Sequence, residues 1–120
     1  MAAIIVPFEM TKGDIDDYPV TIKNSAGALE ELTGASIVCT MALDGGSTLK
    51  IDRRSAGITI ANQTTNKGEF DFRFLAADSD TPGTYNIEFE VTLSGGKKIT
   101  FPKPDQGRAQ VIVTDSLDAE

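Results

Sequence analysis

The sequence contains no histidine, no tryptophan and one cysteine, and these absences exclude more than any residue present supports. Without histidine, neither a Ser-His nor a Cys-His nucleophile pair can be assembled, nor can a histidine-ligated metal centre. Cys39 is the single cysteine, so an intrachain disulfide is ruled out and packing must hold the fold. No apolar run approaches the ~20 residues of a membrane-crossing helix. Met1-Ala2-Ala3-Ile4-Ile5-Val6 lacks a positive flank and meets Pro7 early, so it does not read as a signal peptide. These features describe a soluble chain made in a reducing cytoplasm. Eleven basic against eighteen acidic residues give a formal charge of -7, which repels a phosphate backbone. Arg53-Arg54 and Lys97-Lys98 are only pairs, read as solvated positions. Neither nucleic acid nor a membrane is expected as a partner.

What is present is a rhythm of short alternating segments. A chain of 120 residues, 40% of them apolar, is sized for one domain with one core. Tyr85, Ile87, Phe89, Val91 and Leu93 alternate with Thr84, Asn86, Glu88, Glu90 and Thr92, the period of a strand with one buried face. Pro82-Gly83 before it suits a type II turn. Gly95-Gly96 after it suits a hairpin, returning through Lys97 to Phe101. Phe70, Phe72 and Phe74 face inward by the same rule in Glu69 to Leu75.

Further strands are expected at Ile4 to Glu9, Tyr18 to Lys23, Ile37 to Leu43, Leu49 to Asp52, Ile58 to Ala61 and Ala109 to Thr114. Pro7 marks the first as an edge strand, because proline cannot donate to a ladder. Leu29 to Leu32 has room for one helical turn before Gly34, and Gly57 permits a sharp turn between two short strands. Cys39 shares its parity with Ile37 and Met41, so it reads as a small core filler. Residues 1–114 form the domain and residues 115–120 an acidic tail expected to be mobile.

About seven to nine strands with frequent turns define an all-β class and point to an antiparallel sandwich. Asp80-Thr81-Pro82-Gly83-Thr84-Tyr85 resembles the tyrosine corner of immunoglobulin-like sandwiches with one extra residue, and Ile87 stands where their second disulfide cysteine would be. The alternative is that Tyr85 is an ordinary core residue. A wider resemblance runs through Phe8-Glu9, Lys12-Gly13-Asp14, Tyr18 to Ile22 and Leu32-Thr33-Gly34-Ala35. It continues through Gly68 to Phe72, Pro82 to Tyr85, Glu88 to Thr92, Thr100-Phe101-Pro102 and Val111 to Val113. In order and approximate spacing these resemble the phage baseplate upper protein N-terminal domain family, in a stand-alone form.

That resemblance implies an immunoglobulin-like fold and a bacteriophage virion structural protein at the neck, tail or baseplate, where such domains anchor fibres. Its partners would be portal, neck, tail or capsid proteins and further copies of itself, as a homo-oligomer in the particle. A capsid decoration protein and a receptor- or carbohydrate-binding adhesion module are the alternatives, although sugar binding usually draws on exposed aromatic rings.

No enzyme is expected, and no catalytic, cofactor-binding or metal-binding residue is assigned. Asp14, Asp16 and Asp17, and Asp78 and Asp80, are carboxylates close in sequence, but glycosidase work needs two across a cleft of defined width, which a small sandwich hardly offers. Tyr18 and Pro19 break the spacing of a calcium-binding EF-hand loop. Sandwiches bind through loops or sheet edges, and the first strand near Pro7 and the last at Val111 to Thr114 are the candidate edges for strand addition.

Overall fold

The structure is a computed structural model and describes residues 7–24, 26–102 and 107–115. Among them are nine strands in two sheets: β1 Phe8–Thr11, β2 Asp17–Thr21, β3 Ser36–Leu43, β4 Leu49–Arg54, β5 Ile58–Ile60, β6 Glu69–Arg73, β7 Gly83–Thr92, β8 Lys98–Phe101 and β9 Ala109–Thr114. The larger sheet runs β1-β9-β7-β3-β4, with β8 also on β7, and the smaller runs β2-β6-β5. All pairings are antiparallel except β1 on β9.

The two clearest alternations in the sequence become the two central strands. β7 pairs with β3 along eight positions and with both β8 and β9 on its other side, while β6 lies between β2 and β5. Phe70 and Phe72 from the smaller sheet meet Phe89 from the larger, edge-on at 5.3 and 5.7 Å between ring centroids, and Phe74, just past β6, packs edge-on to Phe72. All four rings are fully buried, each contributing about 2 kcal/mol through the apolar surface it removes from water. Cys39 sits among them with Ile37 and Met41, as its parity required.

Several expectations are corrected. The expected edge strand at Val111 to Thr114 is interior, seated between β1 and β7. The first strand begins at Phe8, beyond Pro7, and the expected residues Ile4 to Val6 lie outside the described residues. Leu29 to Leu32 makes no helical turn. Leu29 bridges Lys23, and the Glu30 amide donates to the Ile22 carbonyl, so tertiary backbone bonds use the groups a turn would need.

Pro82-Gly83 does not form a type II turn either. The chain has already reversed through a 3-10 helix at Ala76–Ser79, and Gly83, at φ 153°, opens β7. Gly57 meets its expectation, at φ 91° with the Arg73 carbonyl oxygen only 2.8 Å from where a Cβ would stand. Its turn joins β4 in one sheet to β5 in the other. At the β7–β8 hairpin only Gly96 takes a left-handed φ, 94°, closing a three-residue loop between Leu93 and Lys97.

Candidate functional site

Two places depart from a plain sandwich, and each is built by the residues around it. The first is a break in the last strand. Phe101 pairs with Phe89 and Ala109 pairs with Ile87, so the register along β7 breaks between β8 and β9, where an unbroken strand would place a single residue opposite Glu88. Side chains at even positions of β7 point away from the core. Pro102, behind a cis Phe101–Pro102 peptide, stands on one side of this break, and Gly107 and Arg108 stand on the other. Beside it opens a cleft of about 310 Å³ lined by Thr40, Asn86, Glu88, Pro102 and Arg108 among others. Asp44 organises its rim, accepting from Arg108 Nη1 at 2.8 Å and from Asn86 Nδ2 at 3.0 Å.

The second is the corner between β6 and β7. Asp78 is almost completely buried and receives both terminal nitrogens of Arg54, Nη1 at 2.7 Å and Nη2 at 2.8 Å. The same carboxylate accepts the Leu75 amide at 2.7 Å, starting the 3-10 helix. Arg54, expected to be solvated, is instead half-buried, and the carboxylate beside it raises its pKa. Lys50 reaches Asp80 at 2.5 Å, and this bond raises the lysine and lowers the aspartate. The Tyr85 hydroxyl donates to the Thr81 carbonyl at 2.7 Å, and Ser79 Oγ donates to the Asp14 carbonyl at 3.0 Å. The corner is thereby tied to β4, to β7 and to the β1–β2 connection.

These partners disperse the acidic groups that are adjacent in sequence. Asp17 faces Arg73 across β2 and β6, with oxygen–nitrogen distances of 2.8 and 3.0 Å that lower its pKa, while Asp78 and Asp80 turn to β4. Among the described residues no three His, Cys, Asp or Glu side chains converge as metal ligands would. Burial raises the Cys39 thiol far above its ordinary range, which keeps it protonated and unreactive. Burial also pushes Tyr18 up to about 12.

One edge that sequence reasoning missed is β2, which among the described residues pairs only with β6. The Phe74 amide bonds the Asp16 carbonyl and the Ile22 amide bonds the Gly68 carbonyl, so even positions of β2 point their backbone at β6 and odd positions point outward. Pro19 falls on an outward position and removes a donor from that edge. The signal was visible as a proline inside an expected strand. No known protein family matches the chain, and a search of curated proteins finds no significant relative.

Proposed function

We propose that the chain is an immunoglobulin-like, non-enzymatic assembly domain of a tailed-phage virion, docking on portal, neck, tail or capsid proteins. The observation that carries the fold is the Tyr85–Thr81 hydrogen bond at the start of β7, two residues before buried Ile87. A tyrosine in this position, turning its hydroxyl onto upstream backbone, is the corner of immunoglobulin-like sandwiches, and Ile87 takes the place of their disulfide cysteine. The strand order agrees: β2-β6-β5 matches B-E-D, and β9-β7-β3-β4 matches G-F-C-C′.

The role rests on the resemblance of Gly13-Asp14, Leu32-Thr33-Gly34 and Thr100-Phe101-Pro102 to the phage domain family. The reactive groups are taken up by the fold. The thiol is buried, and the corner aspartates are spent on ties that stiffen the domain. Both tyrosines are buried as well, which leaves neither ring for stacking on a sugar and disfavours the adhesion-module alternative. The gene's neighbourhood tests the role: flanking portal, neck or tail genes support it, and a neighbourhood of host metabolic genes alone contradicts it.

A further inference from the structure

Four of the five large apolar side chains exposed among the described residues lie toward one end of the sandwich, so the exposure is not scattered. Ile15 and Leu75 are 62% and 55% exposed, and Leu43 and Leu49 are 46% and 45% exposed. The Phe74 amide bonds the Asp16 carbonyl just past the Asp17↔Arg73 pair, so Ile15 and Leu75 each lie one residue beyond this bond, at the same end of the smaller sheet. Ala76 and Ala77 follow Leu75 into solvent. Leu49 is paired with Ala42 and precedes Lys50, whose ammonium holds Asp80 of the same corner, and Leu43 lies against Gly83.

We propose that this end docks a partner protein through an apolar contact rimmed by lysine or arginine side chains. The inference rests on reading the chain as an assembly domain and names the surface that domain uses. Charge selects the occupant. Asp14 and Asp16 flank Ile15, and Asp115 follows Thr114, whose carbonyl takes the Lys12 amide at the same end. All three aspartates are exposed and in no ion pair among the described residues. Lys12 is exposed and in no ion pair among the described residues, so three such carboxylates stand against one such ammonium. A second copy presenting the same end would oppose this excess with its own, and nucleic acid or an anionic bilayer would be repelled likewise. A basic, apolar-centred protein surface neutralises the carboxylates and covers the aliphatic side chains together.

The test is an amide NMR titration of the full chain with a short alternating Lys-Leu peptide and, in parallel, its Glu-Leu counterpart. The expected result is that only the Lys-Leu peptide shifts amides, at Asp14 to Asp16 and Leu75 to Ala77. The double variant Ile15→Ser, Leu75→Ser, which empties no core site, should weaken that binding by at least roughly tenfold, since two apolar contacts are lost. Equal responses to both peptides, shifts on another face, or unchanged affinity in the double variant overturn the proposal. Because the readout uses the free chain, its failure leaves the virion reading standing, and failure of that reading leaves the peptide result standing.

Discussion

The Tyr85 hydroxyl donates to the carbonyl oxygen of Thr81, four residues upstream and 2.7 Å away, fastening the β6–β7 corner onto the strand that crosses the centre of the larger sheet. Tyr85 is itself buried, and the bond joins it to the exposed Thr81. Tyr85→Phe keeps the ring and removes the donor, and it should cost about 1 kcal/mol. A lower urea midpoint with an unchanged slope is the expected outcome. An unchanged midpoint would remove the corner from the account.

The Arg54–Asp78 pair should matter more. Asp78→Ala leaves a half-buried guanidinium without its partner and the Leu75 amide without its acceptor. The expected loss is about 3 kcal/mol, the lower end for breaking a buried ion pair because Arg54 can turn partly to water. Chemical denaturation measures it, and a loss under 1 kcal/mol would mean the pair is incidental.

The alkaline limit of stability should belong to Tyr18. Its folded pKa is raised from 10.0 to about 12 by burial, so its stabilising contribution is complete below pH 10 and is lost as pH rises through 12. Absorbance titration of the phenolates should show this late step in the parent chain and not in Tyr18→Phe. The variant should also lose less stability between pH 10 and 12. A Tyr18 that ionises near 10 while the chain stays folded would contradict its burial.

How much of this was legible depended on whether the signal was local. The strands of β6 and β7 were readable because side chains alternate within a single segment, and Cys39 was placed by the parity of its neighbours. Strand partners were not readable, since register is decided by residues far away: nothing in Val111 to Thr114 announces that Phe8–Thr11 will cover it. The break between β8 and β9 was hidden for the same reason, because Pro102 to Gly107 reads as a connection between two strands. Only the pairing with β7 reveals one interrupted ladder. The 3-10 helix at Ala76–Ser79 is too short for periodicity, and Arg54 was misread because its carboxylate lies 24 residues away. Of the candidate docking end, Asp14 to Asp17 was visible as an acidic loop, but its apolar company assembles only in the fold.

Pro19 lies on the outward side of edge strand β2, just as β1, which follows Pro7, forms an edge of the larger sheet. Pro19→Val restores an outward N–H on β2 and adds a residue that favours strands. The variant should therefore self-associate more than the parent chain in light scattering at matched concentrations. Equal masses across a wide concentration range would show that proline does not protect this edge.

The central claim is that the chain is a built component of a virion. Mass spectrometry of gradient-purified tailed-phage particles from a host expressing the gene tests it most directly. The account predicts the chain in the particle fraction at a fixed ratio to the portal protein, retained through a salt wash. Particles that form normally while the chain remains wholly in the soluble lysate would contradict it.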